Sequence, residues 1–149
     1  MTTGKCYCGA LTYEIEGDID YIVHCHCRNC RRVSGAAFYS AGFLPASRFS
    51  VTSGEMQIRE LNFPKHPSGA RCFCGTRGTC SGHLYIRLPV PGLINVAIHT
   101  LDQEPQEDVG VHINVESKAP WDEIPEGREQ YTTIPPDMLI QLQALMHSD

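Results

Sequence analysis

The chain has 149 residues, 42% of them hydrophobic, and a formal net charge of −5. That length fits one compact domain with a single core, and no run reaches the roughly 18 apolar residues that a membrane span needs. Residues 1–100 carry ten Lys/Arg against six Asp/Glu and residues 101–149 two against eleven, a split that suits small anionic ligands in the first part and excludes a continuous nucleic-acid surface.

The opening residues, Met1-Thr2-Thr3-Gly4-Lys5, lack the apolar core of a secretory leader, so a soluble, cytoplasmic chain is expected. In a reducing compartment its eight cysteines read as zinc ligands rather than disulfides, because spacings of one or two residues would make strained bridges. Cys6-Tyr7-Cys8-Gly9 is the first group. In an extended segment residues i and i+2 project from one face, so both sulfurs reach one ion, and Gly9 frees the backbone to turn. Such a pair needs a second pair from elsewhere to complete a tetrahedral site.

Residues 11–16 alternate with the period of a half-buried strand that Gly17-Asp18 ends, and residues 21–24 form a further strand candidate. Cys25-His26-Cys27-Arg28-Asn29-Cys30-Arg31-Arg32 follows. Three ligands from one segment, with no fourth protein thiol required, is the pattern of a catalytic zinc with an open position. Zinc with three thiolates has formal charge −1, which suits binding a substrate thiol or carbonyl better than making a hard hydroxide. Arg28, Arg31 and Arg32 offset that charge and are candidates to hold substrate carboxylates. The competing reading is a second structural site closed by Cys72 or a histidine. His26 is a candidate general acid or base, although alternation along an extended run turns it away from the thiolates.

Strand candidates continue at 37–41, 56–59, 83–88, 94–99 and 111–115, with turn signals at Pro45, Pro64, Pro67, Pro89 and Pro91-Gly92. Many short strands make a mainly β domain. Between them Cys74 and Cys80 are the choice to complete the Cys6 and Cys8 site, with Cys72 as alternative to either. His83, His99 and His112 stand in strand-like runs and read as core or surface histidines. One helix is expected at the end, where Pro135-Pro136-Asp137 starts it and Met138, Leu139, Leu142, Leu145 and Met146 share a face. Residues 1–134 form the zinc-binding domain, and residues 135–149 a helical extension packed on it.

These residues carry a resemblance. Residues 4–14, from Gly4-Lys5-Cys6 to Tyr13-Glu14, then residues 25–35, Arg71-Cys72-Phe73-Cys74, Leu101-Asp102, His112-Ile113-Asn114-Val115 and Ser117-Lys118-Ala119-Pro120-Trp121 resemble the glutathione-dependent formaldehyde-activating enzyme family, or CENP-V/GFA domain. The resemblance implies a β-tent zinc fold with two zinc ions: Cys6 and Cys8 join a downstream CxxC at a structural zinc, and Cys25, Cys27 and Cys30 hold the catalytic one. One departure stands out, since Arg77 occupies the position of the second cysteine of that CxxC. Either a ligand is lost there, or three residues are inserted and Cys80 replaces it; the second keeps the following strand in register.

The implied reaction is condensation of glutathione with formaldehyde, a carbon–sulfur lyase activity in reverse, on a small-molecule substrate that includes glutathione adducts. The alternatives are a zinc-dependent lyase, decarboxylase or isomerase of secondary metabolism, and a non-catalytic zinc-stabilised binding module. Neither a nucleic acid nor a membrane is expected as partner.

Overall fold

The computed structural model describes residues 1–62, 69–78, 80–106 and 109–146. The turn signals at Pro64 and Pro67, and residues 147–149 of the C-terminal extension, lie outside these. In chain order the elements are β1 (Thr2–Lys5), β2 (Thr12–Ile15), β3 (Tyr21–Cys25), α1 (Arg28–Ser34), β4 (Tyr39–Pro45), β5 (Phe49–Ser53), β6 (Ile58–Leu61), β7 (Ala70–Cys74), β8 (His83–Arg87), β9 (Leu93–Ala97), β10 (Val111–Ile113) and α2 (Met138–Leu145). The protein is mainly β, as its turn-punctuated strands predict.

Two sheets form, a small one in the order β1-β2-β5 and a seven-stranded one in the order β10-β3-β4-β9-β8-β7-β6. All pairings are antiparallel except β10 with β3. The central strand β4 shows how the core is divided, because successive side chains alternate between faces. Leu44 joins a cluster with Leu11, Tyr13 and Ile15 of the small sheet, while Tyr39, Ala41 and Phe43 join a second cluster with Met138 and Leu142 of α2. Cys25 packs against this second cluster. The large sheet is therefore covered on one face by the small sheet and on the other by α2, and the three-cysteine segment opens onto the α2 face.

The differences from the expected elements have local causes. Gly35, with φ +67, caps α1 by donating its amide to Arg31 O, and the turn after it delays β4 to Tyr39. Gly54, with φ +77, starts a 3-10 turn over Glu55–Gln57 that takes Met56 out of the strand. The run at 94–99 breaks at Ala97, where the Thr100 hydroxyl donates to the Ala97 carbonyl at 2.8 Å and a 3-10 turn follows. Asn114, at φ 54, ends β10. The helix α1 was not anticipated: it is seven residues long with Cys30 its only buried side chain, so it has no apolar period to read. Helix α2 begins where expected, but Leu139 is 52% exposed, so the five apolar residues do not share one buried face.

Candidate metal centres and an adjoining cavity

Cys6 and Cys8 lie in the turn between β1 and β2. The Cys6 amide donates to Leu11 O and the Gly9 amide to Cys6 O, both at 3.0 Å, and Gly9 takes φ +74 to close the loop. Cys74 ends β7, and Cys80 lies in the following loop, whose ends are tied by Cys74 N to Gly82 O at 2.9 Å. The ligand sulfurs of Cys6, Cys8, Cys74 and Cys80 all lie within 4.8 Å of one another. Sulfurs at about 2.3 Å from a tetrahedral ion are about 3.8 Å apart; here Cys6 and Cys8 are separated by 3.5 Å and Cys8 and Cys74 by 3.9 Å. The amides of Leu11 and Gly82 donate to the Cys6 and Cys80 sulfurs, each at 3.4 Å, the kind of support that outer-shell donors give metal thiolates. Cys72 is elsewhere. It does not join this group of sulfurs and is fully buried in the core. Arg77 is exposed.

Cys25, Cys27 and Cys30 form the second group, again with all sulfurs within 4.8 Å, and no further Cys, His, Asp or Glu among the described residues joins them. Cys25 ends β3. Cys27 is the N-cap of α1, its sulfur accepting the Cys30 amide at 3.4 Å, so one helical turn brings Cys30 back over it. Two side chains from distant strands reach this cluster: Asn114 Nδ2 donates to Cys25 Sγ at 3.4 Å, and Arg71 Nη2 to Cys30 Sγ at 3.3 Å. Arg71 is 1% exposed. Its guanidinium also lies over the Tyr39 ring, 5.6 Å from the centroid, while Nε and Nη1 are buried without a hydrogen-bond partner.

The thiols of each group perturb one another. The Ala10 amide pushes Cys8 down to about 6, whereas burial pushes Cys6 up to about 11. In the second group the Cys25 and Cys30 thiols drive Cys27 far below the usual thiol range, and Cys25 and Cys27 drive Cys30 far above it. In the second group negative charge is thus favoured on Cys27 and disfavoured on Cys25 and Cys30, a conflict that a divalent cation removes. Both groups thus fit a thiolate-bound ion such as zinc.

The other candidates are placed as follows. His26 is 0% exposed; its Nε2 is 2.8 Å from His112 Nδ1 and its Nδ1 3.8 Å from Asp122 Oδ2. Burial, followed by the nearby His112, lowers its pKa to about 4. Arg31 Nη1 donates to Ser117 O at 2.9 Å, and Arg28 and Arg32 are exposed on α1.

A cavity of about 280 Å³ lies against the second cysteine group, with Cys25, Cys30, Tyr39, Arg71 and Asn95 in its wall. Arg28, Arg31, Arg32 and His26 do not line it. Two larger clefts, of about 590 Å³ past Cys6, Val33, Ser34 and His83 and of about 710 Å³ past Phe49, Tyr85 and Arg87, touch none of the three clustered cysteines. Residue types alone do not single out Arg71 and Asn114, which reach the cysteine sulfurs, although both stand in the runs that carry the family resemblance. The available signal was an arginine inside a strand directly before Cys-Phe-Cys.

A family model described as glutathione-dependent formaldehyde-activating enzyme matches residues 1–117. The crystal structure of a Rhodobacter sphaeroides protein is similar at 27% identity and a TM-score of 0.54, over 72% of this chain and 94% of that one. No curated protein matches.

Proposed function

Because the chain belongs to the glutathione-dependent formaldehyde-activating enzyme family, we propose that it is a zinc-dependent enzyme of the carbon–sulfur lyase type, acting on a small substrate at Cys25, Cys27 and Cys30. The observation that carries this reading is the difference in ligand number. Four sulfurs meet in one group and three in the other, and a four-coordinate ion is closed by the first and left with one open position by the second. Cys6, Cys8, Cys74 and Cys80 would hold the structural zinc. When bound at the second group, zinc would supply a Lewis-acid position for a substrate sulfur or oxygen.

The protein's own side chains support that task. Arg71 and Asn114 donate to the ligand sulfurs and keep negative charge on them. Arg28 and Arg32, exposed beside the cluster in sequence, are proposed to draw anionic substrates toward it, and Arg31 to hold the Ser117 loop. His26, enclosed against His112, is proposed as a positioning residue behind the ligand strand. No helix among the described residues is long and apolar enough to cross a membrane; a cytoplasmic location is part of the proposal. The runner-up, a lyase, decarboxylase or isomerase acting on a carbonyl or carboxylate compound, is favoured by one observation, the apolar character of the cavity at Cys25 and Cys30.

Metal analysis of the purified chain tests the reading, with about two zinc ions per chain expected. Cys25→Ser, Cys27→Ser and Cys30→Ser should each lower this to about one while the fold survives. If each of the three unfolds the chain as Cys6→Ser should, the open-site assignment is wrong.

A further inference from the structure

We propose that the cavity beside Cys25 and Cys30 is the substrate-recognition site, and that it takes a compact molecule with an apolar body and one carboxylate, the carboxylate held by Arg71. This rests on reading the three-cysteine group as the open metal site, and it deepens that reading by naming the substrate class.

The cavity lies between the α2 face of the large sheet and α2 itself. Ile86, Leu93 and Ile113 supply the sheet wall and Met138, Leu139 and Leu142 the helix wall. At about 280 Å³ it stands near the lower end of the roughly 300–1,000 Å³ typical of ligand pockets. Its polar content is Arg71, the Cys25 and Cys30 sulfurs, and the Tyr39 hydroxyl, which donates to Asn95 Oδ1 at 3.2 Å, so Arg71 is its one charged group. A guanidinium has five N–H donors and is always charged. Among the described residues Arg71 makes one hydrogen bond, to the Cys30 sulfur, beside its stacking on Tyr39, and the donors on Nε and Nη1 lack hydrogen-bond partners although the residue is 1% exposed. Leaving such donors buried and unspent is costly. A planar carboxylate matches the guanidinium fork with two parallel hydrogen bonds, and its apolar remainder would fill the space that the sheet and helix enclose.

Whole glutathione fits this space poorly. It carries two carboxylates, an ammonium group and two peptide units, and most of these would face aliphatic walls with no partner. The helix wall also has a positional meaning. Ile134, Met138, Leu139 and Leu142 line the cavity but lie beyond residues 1–117 that match the family model. The segment outside the matched region therefore supplies the helix wall of the cavity, and selectivity for an apolar body depends in part on this chain's own C-terminal segment.

Titration calorimetry on the zinc-loaded full chain, with octanoate, octanamide and glutathione as probes, tests the proposal. Octanoate should bind at least about tenfold more tightly than octanamide, and more tightly than glutathione. Ala41→Leu, which extends a sheet-wall side chain into the cavity, should weaken octanoate about tenfold without lowering zinc content, at some cost in melting temperature. Should Ala41→Leu fail to fold, Leu139→Glu on the exposed rim replaces it and should weaken octanoate at least about threefold through like-charge repulsion. Arg71→Met, reloaded to wild-type zinc content, should bind octanoate and octanamide alike. Equal affinity of the wild type for the two probes, or octanoate binding indifferent to both wall variants, overturns the proposal. The two readings fail separately. A second metal site found closed, with the octanoate preference intact, removes the enzymatic reading and leaves the cavity assignment standing; an open metal site with no octanoate preference removes the cavity assignment alone.

Discussion

Arg71 donates from Nη2 to the sulfur of Cys30 at 3.3 Å, from a position on β7 that is 1% exposed. The contact joins the strand that ends in one cysteine group to the helix that completes the other. Three thiolates on a divalent ion leave one net negative charge, and Arg71 is the buried cation that offsets it. Arg71→Met should therefore weaken metal binding at the three-cysteine group by roughly 10–100-fold and leave the four-cysteine group unchanged. Cobalt titration followed by its thiolate charge-transfer band resolves the two sites. Equal losses at both would mean that the substitution acts by general unfolding, not through Cys30.

Cys80 and Cys72 make opposite predictions. Cys80 lies with Cys6, Cys8 and Cys74, while Cys72 is fully buried among apolar side chains. Cys80→Ser should cost about one zinc ion per chain and lower the melting temperature sharply, since structural zinc contributes directly to folding. Cys72→Ser should keep its zinc and lose about 1–3 kcal/mol from burying a hydroxyl. Zinc content unchanged in Cys80→Ser would reject the three-residue insertion around Arg77.

His83 gives the chain a pH dependence of known sign. Its ring lies between those of Tyr39 and Phe73, with centroids 5.0 and 4.8 Å away, and burial pushes its pKa from 6.5 down to about 3. Between those values the unfolded chain binds a proton that the folded chain refuses. This contribution to stability is thus fully present above the unfolded value and is lost as pH falls toward the folded one. His83→Phe keeps the ring stack and removes the titration, so it should lose less stability than the wild type between about pH 7.5 and pH 5.5. Urea unfolding at the two pH values measures this, and parallel losses in both proteins would rule His83 out as the cause.

Much of the site was readable because ligand chemistry constrains spacing. Cys6-x-Cys8 and Cys25-x-Cys27-x-x-Cys30 announce themselves locally, and the leucine register after Cys80 placed it ahead of Cys72. The strands at 11–16, 21–24 and 83–88 were readable from alternation. What escaped was non-local or aperiodic. Helix α1 buries only Cys30 and has no stripe. In β7 Arg71 and Cys72 are both buried, so the strand lacks the alternation of polar and apolar residues that would have marked it. Arg71 lies 41 positions from the sulfur it reaches, and Asn114 lies 89 from its own, so neither contact leaves a trace in spacing. The charged residues nearest the motif, Arg28, Arg31 and Arg32, drew the electrostatic argument, yet the buried cation at the Cys30 sulfur comes from another strand.

Asn114 has two separable duties, one in its backbone and one in its side chain. Its φ of 54 places it in the left-handed region, where it ends β10 and its amide donates to Thr133 O at 3.1 Å. Its Nδ2 donates to Cys25 Sγ at 3.4 Å. Asn114→Gly accepts the backbone conformation and removes only the sulfur contact, so zinc affinity at the three-cysteine group should fall about tenfold or more with little change in melting temperature. Asn114→Ala adds about 1–2 kcal/mol of left-handed strain to the same loss of affinity. Asn114→Asp tolerates the backbone but sets a carboxylate beside the thiolates, and should weaken zinc most unless that carboxylate becomes a ligand. Chelator competition and thermal melting, measured on all three, separate the duties. If glycine and alanine give the same melting temperature, the strain argument fails; if glycine keeps wild-type zinc affinity, the contact to Cys25 does not support the metal.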